Sequence, residues 1–245
     1  AGGTLALDVY QPTDAAGSHA VVVQVYGGAW RGGSPDDNAT FARYLAGHGY
    51  VVFAIDYRHA PAWHWPTQLE DTRAALAWVR DHAADYGGDA SRIGLVGRSS
   101  GAELAMIAAY ERGAPRVRAV VDLYGPVDLL DGWEEPPSPD PLDVRRILED
   151  FLNGTPAERA AAYRDASPLG YVTRALPPTL LMYGGSDHVV RPEFGTTIFE
   201  RLRHVGTTVV LVPIPWAEHG FDVVPNGPSG QLSLYVTERF LAWAL

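Results

Sequence analysis

The fold of this chain is decided by the stretch Arg92-Ile93-Gly94-Leu95-Val96-Gly97-Arg98-Ser99-Ser100-Gly101-Ala102-Glu103-Leu104-Ala105. The stretch begins with an apolar run typical of a buried strand and ends with a helical pattern, and a G-x-S-x-G turn joins the two. A strand-to-helix turn this tight leaves little room on either side of its serine, and Gly97 and Gly101 supply that room. The pattern therefore predicts that Ser99 is presented at the end of a strand.

The helix that follows this turn provides an environment suited to a nucleophile. Its first backbone N–H groups and the positive end of its dipole point toward Ser99, where negative charge develops during acyl transfer. We therefore predict that Ser99 attacks a carbonyl carbon.

Apolar β-branched segments alternate with longer helical patterns along the chain. The predicted strands are Thr4–Tyr10, His19–Tyr26, Tyr50–Tyr57, Arg92–Gly97, Val117–Tyr124, Thr179–Tyr183 and Thr207–Ile214. The predicted helices are Asn38–Ala46, Leu69–Ala84, Gly101–Arg112, Phe194–Val205 and Gly230–Ala244. This alternation predicts an α/β fold in one domain, with a mostly parallel sheet, helices on both faces and an antiparallel edge formed by the first strands.

One segment, 126–178, interrupts the alternation. It contains a proline-rich run from Glu134 to Pro141, then helical patterns at Leu142–Leu152 and Ala157–Tyr163. We interpret the segment as a helical insertion. It is either a lid over the carboxyl ends of the strands or a plain surface connection.

The composition limits the chemistry of the chain. The sequence has no Cys, and all 19 of its basic residues are Arg, which excludes thiolate nucleophiles, disulfides, Cys-ligated zinc, Walker A loops and Ser-Lys dyads. A net charge of -10 disfavours nucleic acids and anionic membranes as partners. We therefore expect a small neutral substrate.

The chain shows no apolar run near the roughly 20 residues that a membrane span requires, so we expect a soluble domain without membrane insertion. It starts at Ala1, without an initiator Met, and soon enters a strand pattern. We expect that an upstream segment was removed or left out, which is compatible with a secreted or membrane-tethered origin.

A glycine-rich turn follows the predicted strand at residues 19–26. It has the sequence Tyr26-Gly27-Gly28-Ala29-Trp30 and lies one αβ module before the Ser99 turn. We predict that the backbone N–H groups of Gly28 and Ala29, together with that of Ser100, form an oxyanion hole.

A candidate acid and a candidate base follow later strands. Asp187 lies at the carboxyl end of the strand that starts at Thr179, and His219 lies between the last strand and the terminal helix. The chain order of serine, acid and histidine is the one expected of an α/β-hydrolase triad. Asp222 is a competing acid, but it lies too near His219 in sequence to orient its ring easily.

These motifs make the chain similar to the hormone-sensitive-lipase-like esterases and to the small esterase/lipase group with acetyl-esterase-like and feruloyl-esterase-like members. The resemblance spans nearly the whole chain. The segment from Tyr26 to Trp30 resembles the family's H-G-G-x-W loop, Asp56–Pro61 resembles its D-Y-R-x-A-P motif, and Asp89–Ile93 resembles the lead into its elbow. The resemblance implies an α/β-hydrolase fold and carboxylesterase activity.

The chain departs from the family pattern at three positions. Tyr26 replaces the usual His of the loop, Arg98 fills an elbow position that is more often acidic or His, and Ala62 replaces a frequent Glu. About 20 residues precede the strand before the oxyanion loop, too few for the N-terminal cap of the larger family members. We therefore expect a fairly open site, covered mainly by the insertion.

Seven aromatic residues fall on loops that we expect to face the site: Tyr26, Trp30, Trp63, Trp65, Tyr124, Trp133 and Trp216. We predict substrate contacts from five of these residues, namely Tyr26, Trp30, Trp63, Tyr124 and Trp216. The alternative is that several of them simply cover loops.

The predicted reaction is hydrolysis of small to medium acyl or aryl esters through an acyl-enzyme, with no metal and no organic cofactor. Two alternatives remain at this point. One is an amidase or peptidase of the same fold, arylformamidase-like or prolyl-oligopeptidase-like, and the other is a hydrolase-fold scaffold that binds without catalysis.

Overall fold

The computed structural model describes residues 4–13, 17–113 and 116–245. In these ranges seven strands form one sheet: β1 (Leu7–Tyr10), β2 (His19–Val25), β3 (Val51–Ile55), β4 (Gly88–Arg98), β5 (Ala119–Leu123), β6 (Thr179–Gly184) and β7 (Val209–Ile214). Their spatial order is β1-β3-β2-β4-β5-β6-β7. Only β1 runs antiparallel to its neighbour, β3. This topology confirms the predicted mostly parallel sheet and its antiparallel edge.

Eight α-helices accompany the sheet in the described ranges: α1 (Ala39–Gly47), α2 (Thr67–His82), α3 (Ser100–Tyr110), α4 (Leu129–Glu134), α5 (Val144–Leu152), α6 (Pro156–Asp165), α7 (Glu193–His204) and α8 (Pro228–Ala244). The sheet is covered on both faces, because every residue of β3 and every residue of β2 after His19 is buried although successive side chains point to opposite faces. The strands β2 and β3 are accordingly apolar along nearly their whole length, as expected for strands buried on two sides. No helix in the described ranges combines the length and the hydropathy needed to cross a membrane.

Strand β4 begins four residues before the start that the apolar pattern predicts. Gly88 and Asp89 pair with His19 and Ala20 of β2, and the register shifts between Ala20 and Val21. The start of β4 was missed because its residues are polar and pair with β2 beyond a register shift. Hydrophobic periodicity does not detect such a segment.

The insertion carries three helices, one more than its sequence pattern predicts. Helix α4 went unpredicted because it has only six residues and includes Gly132. Asp128 caps it by accepting hydrogen bonds from the N–H groups of Leu130 and Asp131. In the sequence, this helix is indicated by an Asp that precedes the apolar pair Leu129-Leu130.

Candidate active site

The Ser99 turn has the backbone conformation that its glycines permit. Ser99 itself has a φ of +50°, a strained value for a residue with a side chain. A Cβ on Gly97 would lie 2.4 Å from Ala102 Cα, and one on Gly101 would lie 2.2 Å from the Tyr26 carbonyl oxygen. Both glycines are therefore required by close backbone approach, and the turn presents the Ser99 hydroxyl beyond the end of β4.

Three side chains from distant parts of the chain meet at this end of the sheet. The Oγ atom of Ser99 lies 2.9 Å from His219 Nε2. The Nδ1 atom of the same imidazole lies 2.8 Å from Asp187 Oδ2. They meet because β4, β6 and β7 are parallel, so the loops after these strands emerge at one edge.

Asp187 is held by the loop that it begins. Its Oδ1 atom accepts hydrogen bonds from the N–H groups of Val189 at 2.8 Å and Val190 at 2.9 Å, which leaves Oδ2 for His219. The side chain of Asp187 is fully buried, whereas that of His219 is 19% exposed. This arrangement favours the tautomer with a proton on Nδ1, so that Nε2 can accept the Ser99 proton.

The glycine-rich loop makes a turn of left-handed backbone beside Ser99. The φ angles are +135° at Gly28, +54° at Ala29 and +55° at Trp30, and the N–H of Arg31 donates to the Gly28 carbonyl at 3.0 Å. No group in the described residues accepts a hydrogen bond from the N–H of Gly28, Ala29 or Ser100. These N–H groups are therefore free to serve a ligand oxygen.

Tyr26 braces this loop from behind. Its hydroxyl donates to Asp56 Oδ1 and lies 2.8 Å from His59 Nε2, and its ring stacks on Tyr57 at a centroid distance of 4.5 Å. The phenol is buried and borders neither of the spaces that open at Ser99. Tyr26 was predicted to contact substrate, but its side chain points away from both spaces. The reason is the hydrogen bond from its hydroxyl to the Asp56 carboxylate.

Trp30 forms part of the wall beside Ser99. Its ring stacks on Phe151 at 4.2 Å, and its Nε1–H donates to Glu103 Oε2 at 3.0 Å. Burial raises the pKa of the Glu103 carboxyl well above its usual range, against the opposing effect of the Trp30 hydrogen bond. Trp30 is thus fixed through α3 and α5 at once.

Two spaces open at Ser99. One is a narrow cavity of about 50 Å³, bordered by Ser99, Ser100, Ala29 and Trp30, by residues of the insertion and by the start of α7. The other is a wider, open cleft bordered by Ser99, His219, Gly28 and Tyr124, among others.

A buried charged pair lies next to the triad, and sequence reasoning did not assign it. Arg98 Nε donates to Asp222 Oδ2 at 2.5 Å, and the Tyr124 hydroxyl donates to Asp222 Oδ1. The Tyr124 ring packs edge-on against His219 at 4.6 Å. From the sequence, Asp222 was considered only as a competing acid for His219. In the structure its partner is Arg98, the residue that departs from the family pattern at the elbow.

Besides Tyr26, two more of the aromatic residues predicted to contact substrate lie away from both spaces. Trp216 is 65% exposed and donates from Nε1 to Ser229, and Trp63 is 44% exposed and packs under the Arg58 guanidinium. Their positions differ from the expectation because loop assignment alone does not give the direction of a side chain. Trp30 borders the cavity and Tyr124 borders the cleft.

The sequence profile of the BD-FAE family matches residues 7–202 of this chain. Esterase LipC of Mycobacterium tuberculosis is 35% identical over 245 residues, which cover 91% of this chain and 59% of that protein. Probable carboxylic ester hydrolase LipM of the same species is 31% identical over 254 residues, which cover 96% and 57%. The chain thus spans slightly less than three fifths of these relatives. Carboxylesterase NlhH, also of this species, is 30% identical with 87% and 70% covered.

Solved structures share this architecture. The esterase of Thermogutta terrifontis with bound propionate superposes with a TM-score of 0.80 at 26% identity, over 97% of this chain and 89% of that one. The same figures apply to that enzyme phosphonylated by sarin. A truncated carbohydrate esterase from gut microbiota gives a TM-score of 0.83 at 24% identity, over 97% and 90%, and shows the shared fold alone.

Proposed function

The chain belongs to the BD-FAE family within the hormone-sensitive-lipase-like esterases of the α/β-hydrolase fold, and we propose that it is a serine carboxylesterase. The observation that carries this proposal is the continuous hydrogen-bonded line from Ser99 Oγ through His219 to Asp187. The line ends beside three free backbone N–H groups and a narrow cavity with a mainly apolar wall.

Acylation starts at the 2.9 Å contact between Ser99 Oγ and His219 Nε2. The imidazole takes the hydroxyl proton while the oxygen attacks the ester carbonyl, and the negative charge passes to the carbonyl oxygen. The N–H groups of Ala29, Gly28 and Ser100 stabilise that oxyanion, each contributing about 3 kcal/mol by analogy with other oxyanion donors. The imidazolium then protonates the leaving alcohol, and an acyl-enzyme remains.

Deacylation repeats these steps with water. His219 removes a proton from the water, whose oxygen attacks the acyl carbonyl, and then returns the proton to Ser99 as the carboxylic acid departs. Asp187 stays ionised and holds the Nδ1 proton of His219, which fixes the ring and stabilises the imidazolium. These steps require no metal and no organic cofactor.

We propose ester hydrolysis and not amide hydrolysis, because the similar proteins named above are esterases. The activity of the whole protein is part of this proposal, since the chain spans only part of the mycobacterial relatives. The substrate that we propose is a small to medium acyl or aryl ester.

The proposal is tested by comparing p-nitrophenyl acetate with p-nitroacetanilide under the same conditions. We expect a p-nitrophenol burst of one equivalent per active site if deacylation is the slower step, and anilide turnover well below ester turnover. Anilide turnover equal to or above ester turnover would favour the amidase alternative. Absence of turnover on both, without labelling by a fluorophosphonate, would favour the binding scaffold.

A further inference from the structure

The position of His219 decides which half of an ester enters which space. Of the described residues, Ser99 borders both the cavity and the cleft, whereas His219 borders the cleft and not the cavity. Because the imidazole protonates the leaving alcohol, the alcohol departs on the cleft side. The acyl group, which stays bonded to Ser99, is thereby directed into the narrower cavity.

The charged residues on the border of the cavity make most of their polar contacts within the protein. Asp128 caps α4 by accepting from two N–H groups of that helix. Arg191 forms ion pairs with Glu135 and Asp131, although its buried Nε atom has no hydrogen-bond partner among the described residues. Most of the remaining border is apolar, including Leu129, Leu148 and Phe194 among others. The mainly apolar wall suits a neutral hydrocarbon chain better than a charged acyl group.

Gly132 of α4 gives the cavity part of its room. A Cβ built on this glycine would lie 3.7 Å from Phe194 Cζ and 4.0 Å from Leu148 Cδ1, which is ordinary contact. The backbone at Gly132 does not have a positive φ, and glycine is a poor helix former compared with alanine. The backbone therefore does not require glycine here, and what the residue provides is space between α4, α5 and α7.

We propose that Gly132 is a specificity-determining residue: the space that it leaves between α4, α5 and α7 lets the cavity bind a saturated acyl chain of medium length. This proposal rests on the esterase function proposed above. Each methylene that leaves water for an apolar wall contributes roughly fourfold to kcat/KM, so four additional methylenes produce a large difference between acetate and hexanoate esters.

The test compares Gly132→Val with Gly47→Val on p-nitrophenyl acetate, butyrate and hexanoate. Gly47 is the last residue of α1, has no positive φ and has no other group within 4 Å of a built Cβ, so it is a matched control far from the cavity lining. We expect Gly132→Val to lower kcat/KM for hexanoate at least tenfold and for acetate less than threefold. Gly47→Val should leave the hexanoate-to-acetate ratio within twofold of the wild-type ratio.

A second series varies the alcohol at constant acyl group, with ethyl acetate and hexyl acetate. If Gly132→Val changes the ratio within this series and not within the acyl series, the cavity holds the alcohol and the proposal is overturned. An unchanged acyl ratio, or an equal loss on all esters, overturns it as well.

The rate of fluorophosphonate labelling and the melting temperature show whether each variant is folded. If Gly132→Val does not fold, Gly132→Ala provides the same comparison, with an expected two- to fourfold loss on hexanoate relative to acetate. An unchanged ratio in a folded Gly132→Ala protein contradicts the proposal. If the wild-type protein hydrolyses no ester, the proposed function fails instead, so the two failures are distinguishable.

Discussion

Arg98 and Asp222 form an ion pair at 2.5 Å, with each side chain only 3% exposed, although 124 positions separate them in the chain. The other oxygen of Asp222 accepts from the hydroxyl of Tyr124, and the ring of Tyr124 packs against His219. The guanidinium of Arg98 also lies over the Phe41 ring at 4.2 Å. The residue next to the nucleophile is therefore tied, through Asp222 and Tyr124, to the residue that we propose as its base.

Removing one partner of this pair is expected to destabilise the protein strongly. Asp222→Ala leaves the guanidinium of Arg98 buried without its counter-charge, and such a loss costs about 3–5 kcal/mol. The control is Asp165→Ala, because Asp165 pairs with Arg164 at the exposed surface, where such a pair contributes at most about 1 kcal/mol. Urea unfolding measures both free energies. A loss below about 1 kcal/mol for Asp222→Ala would contradict the importance given to the buried pair.

Gly101→Ala is expected to disrupt the Ser99 turn. The added Cβ would lie 2.2 Å from the carbonyl oxygen of Tyr26, and both the strand and the helix would have to shift. We expect a loss of at least about 2 kcal/mol in the free energy of unfolding and a large fall in the rate of labelling at Ser99. Gly47→Ala, in open space at the end of α1, should change neither quantity appreciably. Normal labelling of Gly101→Ala would show that the turn tolerates a methyl group.

The buried carboxyl of Asp122 predicts a pH dependence of stability. Burial raises the pKa of Asp122 from 3.8 to about 7, although hydrogen bonds with Tyr183 and the Gly125 N–H oppose the shift. The Tyr183 hydroxyl oxygen lies 2.7 Å from Asp122 Oδ2 and 2.6 Å from the Gly125 carbonyl oxygen. Its single proton can serve only one of them, so a neutral Asp122 that donates to Tyr183 satisfies both contacts.

Between pH 4 and pH 7 the folded protein thus keeps a proton on Asp122 that the unfolded chain releases. The contribution of this group to the free energy of unfolding falls as the pH rises through that window, by at most about 1.4 kcal/mol per pH unit. Asp122→Asn keeps the shape and the donor, so its stability relative to wild type should increase from pH 4.5 to pH 8. Asp81→Asn, at an exposed position, is the control. A difference between Asp122→Asn and wild type that does not vary with pH would refute a neutral Asp122.

Asp187→Asn is expected to remove most of the activity without unfolding the protein. The side-chain oxygen stays with the N–H groups of Val189 and Val190, so the amide NH2 faces His219 Nδ1 and donates to it. This selects the wrong tautomer of His219, and kcat should fall by about 10⁴-fold, as for other triads. Asp165→Asn should retain wild-type kcat on p-nitrophenyl butyrate. If Asp187→Asn retained more than a tenth of the activity, another group would have to orient the imidazole.

The sequence predicted the fold because its decisive features are local. The strand-turn-helix at Ser99 and the alternation of apolar runs with helical patterns depend on neighbours in the chain, and the observed sheet confirms the α/β-hydrolase prediction. The proposed catalytic residues could also be predicted from the sequence, because parallel strands bring the ends of β4, β6 and β7 to one edge of the sheet whatever their separation in sequence.

The directions in which side chains point could not be predicted from the sequence in the same way. Tyr26 and Trp30 are four residues apart on one loop, yet one points toward Asp56 and the other lines the cavity. The pairing of Arg98 with Asp222 depends on contacts between distant elements, and no period in the sequence encodes it. Helix α4, which carries Gly132 on the border of the cavity, is too short for its periodicity to be recognised.

The central claim is that Ser99 is the nucleophile and His219 its base, and it is tested most directly by intact-protein mass spectrometry after fluorophosphonate treatment, with kcat measured in parallel. We predict one adduct per chain, mapped to Ser99, and for Ser99→Ala no adduct and a kcat lower by about 10⁶-fold. An adduct on another residue, or a Ser99→Ala protein that keeps more than a tenth of the wild-type kcat, would contradict the assignment.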